Sequence, residues 1–154
     1  MKKILITAVV IFSCMAVMNA QKNELFLKKE FVFKGDTLKY RVLFPENYDR
    51  TRQYPLVVFL HGSGERGNDN EKQLVHGASL FTDSENRKDY PSIVIFPQCP
   101  QEDFWVEREK IDFENIEFPK KPKITKSLYL VKKLLDSYKK TEAVDDHKIY
   151  VMGL

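Results

Sequence analysis

The chain has 154 residues, 25 basic and 22 acidic, and a formal net charge of +3. That length holds one small domain, and a charge this near balance gives no field of the kind that draws a protein to nucleic acid. Two cysteines, Cys14 and Cys99, are too few for a disulfide framework, and no Cys/His cluster has metal-ligand spacing, so neither metal nor cofactor is expected.

In chain order, Met1-Lys2-Lys3 is a short basic segment, followed by an apolar run from Ile4 to Met18. Asn19-Ala20 then offers a small residue for cleavage ahead of polar Gln21-Lys22-Asn23. This is the layout of a secretory signal peptide, and a run of about 15 residues falls short of the ~20 that span a bilayer. The expectation is a leader over residues 1–20, a domain over 21–154, no membrane span after cleavage, and a secreted or periplasmic location. A second reading makes the protein a lipoprotein anchored at Cys14, since Ile11-Phe12-Ser13-Cys14 loosely resembles a lipobox. Met15 to Met18 stay apolar where a lipoprotein would turn polar. Without its leader the chain keeps 23 basic residues against 22 acidic, and Cys99 stands alone, as a free thiol or with a partner outside this chain.

Phe26–Phe33 and Thr37–Phe44 read as strands joined by a Lys34-Gly35-Asp36 turn. In the second, Leu38, Tyr40, Val42 and Phe44 alternate with Thr37, Lys39, Arg41 and Leu43, which predicts a half-buried antiparallel strand. Pro55–Leu60, Ile93–Phe96 and Ile149–Met152 are continuous apolar runs, as expected of parallel strands buried on both faces. Asp69–Ser79 reads as a short helix, and Asp83, Glu85 and Asp89 as part of a polar loop. Pro119 and Pro122 stop any helix earlier than Thr125, and Lys120–Lys123 reads as a solvated approach. From Thr125 to about Tyr138 the apolar residues Leu128, Val131, Leu134 and Leu135 form one stripe, which predicts an amphipathic helix. Strands alternating with helices indicate the α/β class.

His61-Gly62-Ser63-Gly64-Glu65-Arg66-Gly67 leaves the carboxyl end of the first buried strand. Gly62, Gly64 and Gly67 match the spacing of a dinucleotide fingerprint, yet Asn68-Asp69-Asn70 is turn chemistry where a helix should continue. Ser63 is not at a nucleophile elbow, because positions 61 and 65 hold His and Glu where that pattern needs glycine. What remains is a glycine loop whose backbone N–H groups can approach a ligand closely, as an oxyanion requires.

The stretch Tyr54–Asn70 resembles the His-Gly oxyanion loop of α/β-hydrolases. More narrowly, it is similar to secreted esterases and predicted peptidases related to dienelactone hydrolase, prolyl oligopeptidase and polyhydroxybutyrate depolymerase. The resemblance continues through Gln73-Leu74-x-His76-Gly77, Ile95-x-Pro97-Gln98-Cys99-Pro100, Trp105 and Val144–Leu154, covering nearly all of residues 21–154. It implies the amino-terminal half of an α/β-hydrolase sheet, an antiparallel hairpin followed by parallel strands with helices on both faces. It implies Ser63 as a main-chain donor to the oxyanion, with Gly62 and Gly64 shaping the loop, and His61 as a brace rather than a base. Glu65, Arg66, Asp69 and Asn70 would hold the loop as a polar network.

Trp105 and Gln98 fall after the second buried strand, on the same edge as the loop. Either could face substrate, and Trp105 could equally pack under a loop. His76 could cap or brace its helix, or touch substrate. His147, at the amino end of its strand, is expected on the surface, and Asp145 and Asp146 are expected to point to opposite faces. The resemblance also implies that Gly153-Leu154 opens a G-x-S-x-G turn, so that the domain stops just short of the nucleophile elbow. Nucleophile, acid and histidine base would follow Leu154, the next residue would be serine, and this chain alone would be inactive. The implied activity is hydrolysis of a small-molecule or polymeric carboxylic ester, or of a peptide, through an acyl-enzyme. The alternative is a non-catalytic secreted protein using the same sheet edge to bind carbohydrate or a protein partner. Nothing in the sequence speaks to oligomeric state.

Overall fold

The computed structural model describes residues 23–107 and 123–154. The leader with its Cys14 variant, and the Pro119-to-Pro122 approach, lie outside those residues. Five strands form one mixed sheet in the order β1-β2-β4-β3-β5. They are β1 (Leu27–Phe33), β2 (Asp36–Leu43), β3 (Tyr54–Leu60), β4 (Ile93–Pro97) and β5 (Val144–Gly153). β1 and β2 form the antiparallel hairpin, turning through Lys34 and Gly35, both with positive φ. β2 runs antiparallel to β4, whereas β3 is parallel to both β4 and β5.

Uniform apolarity in the central strands has the expected cause: each supplies both faces. Leu56, Val58, Ile93 and Ile95 enter one core, with Leu130, Val131, Leu134 and Tyr138 of α3 (Lys126–Thr141). Val57, Phe59, Val94 and Phe96 enter the other, with Leu74 and with Ala78 of α1 (Ala78–Thr82). The α3 stripe is rotated from the expected one. Leu130 and Tyr138 are buried with Val131 and Leu134, while Leu128 and Leu135 are half-buried. The Tyr138 hydroxyl meets that of Tyr40 at 3.2 Å, which lets a polar tip join the apolar face.

Three expectations are corrected. The simple alternation of β2 fails from Tyr40 to Leu43, where all four residues are buried. Arg41 survives there because its guanidinium donates to the Asn70 carbonyl (2.7 Å), the Phe26 carbonyl (2.8 Å) and the Glu71 carboxylate. Asp69–Ser79 is not one helix. The Asp69 carboxylate accepts from the Glu71 and Lys72 amides and starts a 3-10 turn at Lys72–Leu74, then Gly77 at φ +81° breaks the chain before α1. The acidic loop expected at 83–89 contains the short helix α2 (Ser84–Asp89), because Asp83 caps it by accepting from the Glu85 and Asn86 amides.

β5 begins at Val144, earlier than the apolar run suggests, with a register shift of β3 against it between Tyr54 and Leu56. It is the outermost strand on its side, and Tyr150, Val151, Met152 and Leu154 stand exposed, so the Ile149–Met152 run is not buried on both faces as its apolarity predicted. Among the described residues no helix is long and apolar enough to cross a membrane.

Gly77 is the strictest local requirement of this fold. A Cβ there would lie 2.5 Å from the Phe59 ring, in a backbone conformation that side chains rarely adopt. Gly77→Ala should cost about 2–4 kcal/mol, combining left-handed strain with overpacking, and urea denaturation of the purified protein measures it.

Candidate active site

The carboxyl ends of β3, β4 and β5 meet at one edge of the sheet. β3 ends at Leu60, β4 leads into Gln98 and Cys99, and Gly153 is in register with Leu60. The strands are unusually close there. A Cβ on Gly153 would lie 2.9 Å from the Leu60 carbonyl, which also accepts from the Leu154 amide at 3.2 Å.

His61 is the hinge of this edge and is buried, with 2% of its surface exposed. The Cys99 amide donates to its Nε2 at 3.0 Å, so Nε2 carries no proton. The proton therefore sits on Nδ1, which donates to the Gly62 carbonyl at 2.7 Å. Burial is the largest influence on the imidazole and pushes its pKa below the ordinary 6.5. With both nitrogens engaged by main chain and the ring under the loop, His61 links β3 to β4. The Trp105 indole N–H donates to the His61 carbonyl at 2.9 Å, and the two rings lie 5.1 Å apart.

From there Gly62-Ser63-Gly64-Glu65 turns outward. Ser63–Glu65 is a single 3-10 turn closed by the Glu65 amide on the Gly62 carbonyl, and Ser63 and Gly64 are exposed. A side chain at Gly62 would need the Glu65 carboxylate to shift. A Cβ would lie 3.0 Å from Glu65 Oε2 and 3.9 Å from Leu154 Cβ, so the loop crown and the end of β5 share one small space. Glu65 Oε1 lies 3.7 Å from Nε2 of His76, which is on the same edge and exposed.

Arg66, Asp69 and Asn70 sit beneath the crown, held largely by main chain. Arg66 donates to the carbonyls of Ser63 (2.9 Å), Gln101 (2.9 Å) and Asp103 (3.3 Å), with its guanidinium 3.9 Å over the Phe104 ring. Asn70, at φ +57°, is buried, and its side chain bridges the Lys29 carbonyl and Gln73 Nε2. Asp69 is pulled down to about 2: burial works against its charge, but hydrogen bonds from Gln98, Lys72 and Glu71 outweigh it.

Gln98 is not where a substrate contact would be. It is 2% exposed, and its Oε1 accepts from the Asn70 amide (2.7 Å) while Nε2 donates to Asp69 Oδ1 (2.8 Å) and the Glu65 carbonyl (3.3 Å). Its whole amide is consumed in tying the two limbs of the glycine loop together. Trp105 has spent its indole N–H on His61 and is half-buried against the α3-side core. His147 is exposed at the other end of β5. Asp145 and Asp146 go to separate lysines, Lys148 and Lys139.

Sequence reading overlooked two contributors. One is the main chain of Cys99, which donates to His61 and accepts from the Gly67 amide at 3.0 Å. The thiol itself is buried and pushed up to about 11 by that burial, so it stays protonated. The other is Asp103, whose carboxylate accepts from the Ser127 amide (2.9 Å) and hydroxyl (2.6 Å) and fixes the start of α3 at this edge. Burial raises its pKa and those bonds lower it more, for a net depression. No spacing in the sequence announces a contact 24 residues away. Among the described residues no group of three His, Cys, Asp or Glu is gathered where it could hold a metal.

No family model matches the chain. Its structure is similar to that of a thermostable esterase, with a TM-score of 0.73 and 33% identity over 87% of this chain and 35% of that enzyme. A CE1 ferulic acid esterase from Anaeromyces mucronatus aligns with a TM-score of 0.52 at 15% identity, over 84% of this chain and 48% of that one, a likeness of fold. Dipeptidyl-peptidase 5 of Aspergillus fumigatus is 44% identical over 41 residues, a quarter of this chain and 6% of that enzyme. The chain thus has a partial α/β-hydrolase fold, spanning about a third of the length of the thermostable esterase.

Because His61 is held neutral, its contribution is complete above pH 6.5 and is lost as pH falls from 6.5 towards its lower folded value, where only the unfolded chain binds the proton. The urea midpoint of the wild-type protein should fall more between pH 7.5 and 5.5 than that of His61→Gln. Equal pH dependence in the two would contradict the neutral, Nδ1-protonated assignment.

Proposed function

We propose that this chain supplies the oxyanion side of an exported serine hydrolase acting on carboxylic esters. The observation that carries the reading is the shared space at the sheet edge. β5 ends at Gly153 in register with Leu60, and Leu154 Cβ is 3.9 Å from the point where a Gly62 side chain would begin. A residue following Leu154 would emerge directly against the Gly62–Gly64 crown. Gly153-Leu154 then reads as the first half of a G-x-S-x-G turn, whose serine stands at a strand-to-helix corner.

The chemistry assigned to that edge is acyl transfer. The serine oxygen attacks the ester carbonyl carbon as its proton passes to a histidine, and the carbonyl electron pair moves onto oxygen. That oxyanion accepts from the Ser63 amide and from the amide after the nucleophile. Collapse expels the alcohol, which takes the histidine's proton, and water then releases the acid by the same steps. Serine, histidine and its orienting acid would all come from sequence beyond Leu154. The similarity to the thermostable esterase at 33% identity supports esters as the substrate class. The 41-residue match to a dipeptidyl-peptidase keeps peptide hydrolysis as the second reading. Export rests on the basic, apolar and polar order of residues 1–23.

Ser63 offers a clean test, because its proposed role belongs to its main chain. Ser63→Pro deletes the N–H at the first position of a helical turn, where proline's φ is accommodated. In the protein carrying its continuation past Leu154, this change should lower kcat on a short-chain aryl ester about 10²–10³-fold. Ser63→Ala keeps the N–H and should retain far more activity than Ser63→Pro. Similar losses in both would move the function onto the hydroxyl, and absence of any hydrolysis would favour a binding protein for carbohydrate or a protein partner.

A further inference from the structure

We propose that Arg66 is a positioning residue of this site, acting through the Ser63 carbonyl to aim the Gly64 amide beside that of Ser63. The inference rests on the oxyanion reading of the crown and adds to it a second aimed donor and the side chain that aims it.

The argument concerns two consecutive peptide planes. All peptide bonds here are trans, so each N–H points away from the C=O of its own plane. The Gly62–Ser63 plane is pinned by His61, whose Nδ1–H donates to the Gly62 carbonyl at 2.7 Å from beneath the loop. The Ser63 N–H of that plane therefore points away from the buried imidazole. The Ser63–Gly64 plane is pinned in the same manner by Arg66 Nε–H on the Ser63 carbonyl at 2.9 Å. The Gly64 N–H therefore points away from the guanidinium. Ser63 and Gly64 are both exposed, and nothing lies within 4 Å of where a Gly64 side chain would start, so the crown is uncrowded at Gly64.

Arg66 is suited to hold a plane rather than merely neutralise a charge. Its guanidinium is a rigid fork, and the rest of it is anchored independently of the crown. Nη1 donates to the Gln101 and Asp103 carbonyls, and the flat face lies 3.9 Å over Phe104. Gln101 to Phe104 belong to the segment that Asp103 ties to α3 through Ser127. The crown is thus referenced to a helix that packs on the sheet. A charged donor on the Ser63 carbonyl also polarises the peptide it belongs to, strengthening the Gly64 N–H as a donor. Lysine, a point charge on a flexible stem, lacks the planar fork that meets these carbonyls while stacking on the ring.

The test uses the protein with its continuation past Leu154, Arg66→Ala and Arg66→Lys, a short-chain aryl ester, and methylguanidinium as an added cation. Arg66→Ala should lower kcat about 10- to 100-fold, as a donor displaced by a fraction of an ångström would, with KM within about twofold. Methylguanidinium should restore part of the lost kcat in Arg66→Ala and none in Arg66→Lys, where the cavity is filled. Unchanged kcat, or a loss confined to KM, would overturn the proposal. A second readout does not depend on the substrate being an ester: in 1H–15N spectra Arg66→Ala should shift the Gly64 amide proton upfield. A Gly64 signal that does not move overturns the clamp even if the enzyme is active. A signal that moves in a protein inert to esters supports the clamp and refutes the esterase reading separately.

Discussion

The imidazole of His61 is the constraint on which the sheet edge depends. A buried ring that accepts from one strand's continuation and donates to its own loop can do so in only one tautomer. That tautomer joins the ends of β3 and β4 at fixed distance. Removing the ring would leave the Cys99 amide buried without an acceptor, a loss of about 1–3 kcal/mol. It would also leave the Gly62 carbonyl with the Glu65 amide alone, loosening the orientation of the next amide. Gln98 repeats the arrangement one residue earlier, with a fully used amide between the two limbs of the loop. The exposed crown is therefore carried by His61 and Gln98, whose bonds end on main chain and on the Asp69 carboxylate.

Burial on both faces fixes β3, the strand along which β5 pairs. Leu56 and Val58 pack towards α3 while Val57 and Phe59 pack towards α1, so β3 cannot slip by one residue without exchanging its two cores. Register with β5 follows, Leu60 against Gly153, and the absence of a side chain at Gly153 permits the approach. Position at this edge is in this sense a consequence of packing one to four residues back along β3, roughly 3–13 Å at ~3.3 Å per residue.

The sequence made the strands legible because their chemistry is local: the Lys34-Gly35-Asp36 turn marked the hairpin, and uninterrupted apolar runs marked β3, β4 and β5, of which β3 and β4 are buried. The glycine stretch was legible as a loop leaving the end of β3, where the structure has the 3-10 turn Ser63–Glu65. What could not be read was how long-range partners divide the polar residues. Gln98 has the composition and position of a substrate contact, but its burial is decided by Asn70 and Asp69, nearly 30 residues earlier in the chain. Arg41 on a strand that should alternate is buried because the Asn70 and Phe26 carbonyls happen to converge on it. The helix boundaries at Asp69–Asp89 were misjudged for a different reason. Asp69 and Asp83 accept from the amides that follow them and set where the turns start, a local signal that apolar periodicity does not carry.

On the proposed reading the Ser63 and Gly64 amides face the end of β5, and acyl transfer would need a nucleophile at that point. Covalent labelling tests this most directly. The protein extending past Leu154 is treated with an alkyl fluorophosphonate and the modified peptide is identified by mass spectrometry. The account predicts one adduct, on a serine immediately following Leu154, and loss of ester hydrolysis in step with labelling. An adduct on Ser63, or full ester hydrolysis in a protein that takes up no phosphonate, would contradict it.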